Sequence, residues 1–246
     1  MIPAAGQATR LGSLAGGRPK ALLEIGDRTL IEHLLDRLSA PFTGVCLVTG
    51  AHSLSGLQSL LGSRYRQLEI RYSVQPEPAG VADAVRRAEG LVEGPFVVAM
   101  GDCYFEAGLS DFPLRWAETG SPGAVLVEPA SHAGGQAMGL VTVSGNRITR
   151  IFKATWSGET EWRVCGSFLL PESFFEEAAR TPPGPSGEYE LEDVVTRLMA
   201  QGADFDAIPY RGWRRNINTP GDLAAVTRRL TADGVTPKGD GRERGA

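Results

Sequence analysis

The chain has 246 residues, 42% of them apolar and 22% charged, with a formal net charge of -4. That length holds one large domain with a substantial core. A weakly acidic balance argues against bulk binding to nucleic acid or an anionic membrane, while leaving room for a small basic pocket.

In chain order, a short strand ends at Ile2-Pro3 and runs into a loop of small residues. "TLIEHLLDRL" then places Leu30, Ile31, Leu34, Leu35 and Leu38 on one helical stripe, with His33 between them on the surface. "GVCLVTG" (44–50) and "PFVVAM" (95–100) are nearly continuous apolar runs, the signature of strands buried on both faces. Between them "GVADAVRRAEGLV" brings Val81, Ala84, Val85 and Ala88 together on a helix. Strand and helix alternating in this way predict βαβ units. The second half reads differently. "GAVLVEP" (123–129) is a strand, "GLVTVSGNRITRIFK" a hairpin turning at Ser144-Gly145-Asn146, and "WRVCGSFLLP" a further strand. Two helices follow in "PESFFEEAAR" and "YELEDVVTRLMAQG", separated by the irregular "TPPGPSG" (181–187). "FDAIPYRGWRRNI" is extended, and "TPGDLAAVTRRL" is a last helix with Thr219 as N-cap and Pro220 at its first position.

The fold class expected is therefore α/β: a Rossmann-like three-layer arrangement around a central mixed, mostly parallel sheet. One domain covers 1–230, and the polar, Gly-rich 231–246 forms a flexible tail. Cys46, Cys103 and Cys165 are widely spaced, each in or beside an apolar run, and read as buried thiols in a reducing cytoplasm. The opening Met-Ile-Pro-Ala-Ala-Gly carries no charged leader, and no stretch approaches the ~18 apolar residues of a spanning helix. Neither a signal peptide nor membrane association is expected.

The loop "AAGQATRLGSLAGGRPK" holds the chemistry. Small residues at Ala4, Ala5 and Gly6 let backbone amides approach a ligand closely, and converging amides at a sheet edge form an anion site. Arg10 adds a fixed cationic fork, and Pro19 stiffens the approach of Lys20. A triphosphate suits such a loop. The structural alternative is a tight strand–loop–helix turn with two solvated cations. Neither GxxxxGK[ST] nor GxGxxG is met, since Ala8 stands at the second glycine of the latter.

"GQATRL…RPKALLEIGDRTLIEHLLDRL" resembles the signature of sugar-1-phosphate nucleotidyltransferases, in particular short forms that lack a C-terminal β-helix. "QPEPAGVADAV", "MGDCYF", "MGLVTV", "ITRIFK", "GEYELEDVVTRLMAQG" and "WRRNINTPGDLAAV" are similar to further family segments, in family order, over roughly residues 1 to 230. The resemblance implies an enzyme that takes an NTP and a phosphorylated small-molecule acceptor as partners and Mg²⁺ as cofactor, with no nucleic acid. A phosphomonoester oxygen attacks the α-phosphorus and pyrophosphate leaves, so catalysis consists of positioning and charge neutralisation. It also implies roles. Arg10 and Lys20 act on the phosphates. Ala4, Ala5, Gly6, Gln75, Gly80 and Asp102 bind the nucleotide. Gly139, Lys153, Gly166 and Glu188 meet the sugar phosphate, and Asp102 and Asn216 hold the metal. A homo-oligomer is compatible with all of this.

The chain departs from the family pattern in two places. Phe152-Lys153-Ala154 stands where Glu-Lys-Pro is common, which unsettles hexose recognition, and Asn216 stands where the family has an aspartate. Two alternatives follow: a cytidylyltransferase acting on phosphocholine or another small phosphoalcohol, boxed by Trp156 and Trp162, and a non-catalytic nucleotide-sugar-binding regulator.

Overall fold

A computed structural model describes residues 1–6, 11, 18–130, 137–158 and 161–232. The strands are β1 (Ile2–Pro3), β2 (Glu24–Ile25), β3 (Arg28–Thr29), β4 (Gly44–Gly50), β5 (Arg64–Tyr65), β6 (Leu68–Gln75), β7 (Phe96–Ala99), β8 (Cys103–Phe105), β9 (Gly123–Pro129), β10 (Ala137–Ser144), β11 (Arg147–Thr155), β12 (Trp162–Leu170), β13 (Phe205–Pro209) and β14 (Arg214–Asn216). The helices are α1 (Leu30–Leu35), α2 (Ala51–Leu61), α3 (Val81–Arg86), α4 (Asp111–Ala117), α5 (Phe174–Arg180), α6 (Leu191–Ala200) and α7 (Pro220–Ala232).

Two strand sets form the central layer, in the orders β1-β4-β6-β5 and β10-β11-β13-β9-β12-β7. Main-chain bonds from Ala99 N to Met1 O (3.0 Å) and from Gly101 N to Pro3 O (3.2 Å) join β1 to β7, so the layer is continuous. Parallel pairing is concentrated in the first half, where β1, β4 and β6 run together. In the second half β12 lies antiparallel between β7 and β9, and β10 and β11 form the expected hairpin around Gly145. The sheet is mixed, as its pattern implied, but not mostly parallel: among the described strands β1–β4, β4–β6 and β9–β13 pair parallel, whereas the second half pairs mainly antiparallel because hairpin connections return the chain beside itself.

Alternate residues of single strands feed opposite cores, which makes the architecture three-layered. Val48, Val98 and Val125 join α3, α5 and α6 on one side. Leu47, Val97 and Leu126 join α1, α2 and α4 on the other. Helix α6 shows why packing decides. Burying Leu191, Val194, Val195 and Leu198 contributes roughly 1.5–3 kcal/mol each. That outweighs the few tenths of a kcal/mol that each β-branched residue costs in a helix. A third, smaller core places α7 against β2 and β8 through Ile25, Tyr104, Ile217, Val226 and Leu230. Thr219 caps α7 as expected, its Oγ1 accepting from Asp222 N at 3.2 Å.

The structure corrects one expectation in this region. His33 is buried, not on the surface: its Nε2 donates to Ile25 O at 2.8 Å, and its ring meets Tyr104 edge-on at 5.5 Å. Helix α7 continues to Ala232, past the domain boundary expected at 230, and residues 233–246 of the expected tail lie outside the described residues. Among the described residues no helix is long and apolar enough to cross a membrane.

Candidate active site

Strands β1, β6 and β7 end at one rim. Just beyond them lies a cavity of about 570 Å³, walled by Pro3 to Gly6, Gln75 and Met100 to Asp102. Parallel strands place ligands at this edge because their connecting loops splay apart there. Close main-chain approach builds the wall. A Cβ at Gly101 would stand 2.5 Å from Pro3 O, so only glycine lets the chain after β7 lie against the end of β1.

Lys20 opens a short 3₁₀ turn (Lys20–Leu22) behind Pro19, and its main-chain N donates to Gly6 O at 3.3 Å. This bond ties the two ends of the opening loop together at the cavity. The Lys20 Nζ then donates to Asn218 Oδ1 at 2.8 Å and to Asp102 Oδ2 at 3.4 Å. Three segments about a hundred residues apart thus meet on one ammonium group. Asn218 is held from the far side, because Asp222 at the start of α7 accepts from the main-chain N of Asn218 (3.1 Å) and of Thr219 (2.8 Å). Asp102 is fixed by its carbonyl, which accepts from Ile217 N at 2.8 Å.

Gln75 is buried at the end of β6 and donates through Nε2 to Gly80 O (3.0 Å) and Asp83 Oδ2 (2.9 Å). Gly80 has φ +104°, and a Cβ there would stand 2.5 Å from both N and O of Tyr189. Its glycine is required by left-handed backbone and by the segment that Ala79 O and Ala82 N clasp through Tyr189 at 2.8 Å each.

Of the residues singled out in the sequence, the structure brings Ala4, Ala5, Gly6, Lys20, Gln75, Gly80, Asp102 and Glu188 to this one cavity. Arg10 lies outside the described residues. Asn216 is not in the lining. Its Oδ1 accepts from Arg214 and sits 3.3 Å from Cys103 Sγ, so its amide oxygen is committed away from the cavity. The asparagine at the cavity is Asn218. The two are two positions apart in an extended segment, where side chains repeat their direction, so sequence spacing alone does not separate them.

Lys153, Gly139 and Gly166 also stand outside the lining. Lys153 faces Gly139 across the β10–β11 ladder and pairs with Glu190. Burial is the largest influence on the Lys153 amine and pulls its pKa down. Glu190, Glu192 and Glu188 together outweigh it and hold the amine above the ordinary lysine value. Burial raises the Glu192 carboxyl, whose Oε1 would lie 2.6 Å from a Cβ at Gly139. Gly166 (φ +70°) sits in an irregularity of β12, and its carbonyl accepts from Met100 N at 2.8 Å, on the wall of the cavity. Lys153 and Gly139 thus lie beside the cavity, linked to it by the proximity of Glu188 to Lys153, while Gly166 touches its wall through Met100.

Beneath this cluster lies a charged network that the sequence does not announce. Glu128 Oε1 accepts from Arg214 at 2.5 Å and pairs with Arg163 at 2.7 Å. All three cysteines are buried thiols without disulfides, as expected, and burial pushes Cys165 up to about 12. Among the described residues no group of three or more His, Cys, Asp or Glu side chains could hold a metal by itself.

The arrangement is that of an α/β protein whose strand ends surround a cavity with, among the described residues, Lys20 as its lysine. The profile of the Nucleotidyl transferase family matches residues 1–231, and the chain belongs to that family. It is 27% identical over 231 residues to a UTP–glucose-1-phosphate uridylyltransferase of Haloferax volcanii, covering 94% of this chain and 95% of that protein. It is 23% identical over 233 residues to a bifunctional GlmU protein of Methanococcus maripaludis, of which it spans 54% while 94% of this chain is covered. Among solved structures, a UDP-glucose pyrophosphorylase complexed with UDP-glucose superposes with a TM-score of 0.81 at 19% identity, covering 94% of this chain and 97% of that one. That likeness establishes the fold.

Proposed function

We propose that this chain transfers a nucleotidyl group from an NTP to a sugar 1-phosphate, giving an NDP-sugar and pyrophosphate. The observation that carries the reading is Lys20 Nζ, held by Asp102 and Asn218 inside the cavity at the strand ends. A phosphate oxygen of the acceptor attacks the α-phosphorus, a new P–O bond forms, and the bond to the β-phosphate oxygen breaks. Lys20 neutralises charge on the α-phosphate and on the incoming phosphate. Arg10, by its place in the motif, meets the departing pyrophosphate. No group on the protein forms a bond, so the contribution is orientation and preorganised charge.

The donor set fits Mg²⁺, which commonly uses one or two carboxylates and takes its other ligands from water and substrate phosphates. Asp102 would supply the carboxylate, and Asn218, rather than Asn216, would supply an amide oxygen beside it. The cation, when bound, offsets negative charge on the reacting phosphates. On the acceptor side Lys153 and Glu188 are the groups nearest to receive the sugar phosphate and its hydroxyls, with Gly139 and Gly166 allowing close approach. Unpaired buried cysteines suit a cytoplasmic enzyme. An aromatic box for a quaternary amine gains no support from Trp162, which packs against the core.

The test is pyrophosphate release in the presence of Mg²⁺, with UTP, dTTP, GTP, CTP and ATP each offered with glucose 1-phosphate, a panel of other sugar 1-phosphates, and phosphocholine. Turnover with at least one pair, abolished by chelation, is the expected result. Release with phosphocholine alone would transfer the reading to the first alternative. No turnover with any pair would leave a nucleotide-sugar-binding regulator in its place.

A further inference from the structure

The side-chain amide of Gln75 can be assigned from chemistry alone. An amide has two N–H donors on one end and an acceptor oxygen on the other. The two groups that face its Nε2, Gly80 O at 3.0 Å and Asp83 Oδ2 at 2.9 Å, are both oxygens that only accept. Turning the amide over would aim Oε1 at two acceptors and break both bonds in a buried place. The nitrogen is therefore fixed inward, and Oε1 is the end left for the cavity that Gln75 lines.

Asp83 is itself held. It is buried on the first turn of α3, and its second oxygen, Oδ1, accepts from Arg87 NH2 at 3.0 Å. Arg87, half-exposed, aims the carboxylate, and the carboxylate in turn aims the amide. Gly80 O supplies the second restraint and is pinned in turn, because it accepts from Ala84 N at 3.2 Å within the same helix.

We infer that Asp83 is a positioning residue for base selection: together with the Gly80 carbonyl it makes Gln75 present only an acceptor to the nucleobase, favouring bases that carry a ring N–H. This rests on the nucleotide reading of the cavity given above. Uracil and thymine have such a donor at N3 and guanine at N1, whereas the same ring atoms of cytosine and adenine are acceptors and would meet Oε1 lone pair to lone pair. Asp83 touches no substrate; it acts through Gln75.

The experiment is calorimetric binding of UTP against CTP, and of GTP against ATP, to the full chain and to two variants. Wild type should bind the ring N–H member of whichever pair it accepts about tenfold or more tightly, the scale of one mismatched buried hydrogen bond. Asp83→Asn can turn its one oxygen toward Gln75 only by setting its NH2 against the Arg87 guanidinium, so it should keep a preference between those of wild type and Asp83→Leu. Asp83→Leu removes one of the two acceptors, leaves the Gly80 carbonyl as the remaining restraint on the amide, and should reduce the preference by about threefold or more. A folded Asp83→Leu protein with an undiminished preference would show that Asp83 is only structural and overturn the inference. So would a wild type that prefers CTP or ATP. A wild type that binds none of the four would instead remove the nucleotide reading, and this inference with it. If Asp83→Leu does not fold, wild type alone decides: by NMR both Nε2 protons of Gln75 should exchange with water about tenfold or more slowly than those of surface glutamines, and exchange at the surface rate would overturn the assignment.

Discussion

The cavity at the ends of β1, β6 and β7 is walled largely by main chain, whereas the neighbouring strands β10, β11 and β12 carry paired charges. Around β1, β6 and β7 the cavity is lined by Ala4, Gly6, Gly80 and Gly101, with Lys20 as the cation fixed there by Asp102 and Asn218. Around β10, β11 and β12 the residues are charged and mutually engaged: Lys153 with Glu190, and Arg163 and Arg214 with Glu128. A wall of main chain sets the shape of what can enter. Paired buried charges depend on one another, so this region responds to substitution in a different way. The first half should fail by losing shape, the second by leaving a charge unpaired.

The largest expected effect lies in the charged half. Glu128→Ala leaves Arg214, whose side chain is 6% exposed, without its carboxylate, and should cost about 3–5 kcal/mol of stability in chemical denaturation. A loss under about 1 kcal/mol would mean that the network is bridged by other groups and that the contrast between the halves is overstated. Next comes the main-chain wall. Gly80→Ala forces a Cβ against the Tyr189 backbone at a φ of +104° and should cost about 3 kcal/mol, with nucleotide binding weakened in the protein that remains folded. Unchanged melting would show that the Tyr189 segment gives way freely and that the wall is softer than drawn. The smallest effect sharpens the comparison from outside. Arg180 and Glu176 form a pair with side chains 64% and 67% exposed, so Arg180→Ala should change stability by less than about 0.5 kcal/mol and leave turnover untouched.

The same contrast explains what sequence could convey. Strand β9 and the β10–β11 hairpin were legible because continuous apolar runs and a Ser-Gly-Asn turn are local signals. Helix α2 was not, since its buried face carries Ser53, Leu57 and Leu61 among Gly, His and Gln, too thin a stripe to register. Strand β6 carries a different signal from the other buried parallel strands: Leu68, Ile70, Tyr72 and Val74 alternate with polar residues, so it shows no continuous apolar run, although it pairs in parallel with β4 along its length. His33 was misread because its partners, the Ile25 carbonyl and Tyr104, come from other elements. At the site, motif order located the cavity residues of the nucleotide half, because small residues and a Pro-Lys pair are visible as letters. The ion network was not visible, since Glu128 and Arg214 are 86 positions apart and nothing local to either names the other. Asn216 and Asn218 show the limit most closely, because only the end of β14 against Cys103 decides which amide reaches Lys20.

The central claim is that Lys20, held by Asp102 and Asn218, neutralises the reacting phosphates. Pyrophosphate release by Lys20→Ala, compared with wild type under saturating NTP, sugar 1-phosphate and Mg²⁺, tests it most directly. The account predicts a fall in kcat of about 10²–10³-fold with the thermal melt preserved, the scale of one preorganised charge removed from a transition state. A folded Lys20→Ala protein that turns over within about threefold of wild type would contradict it.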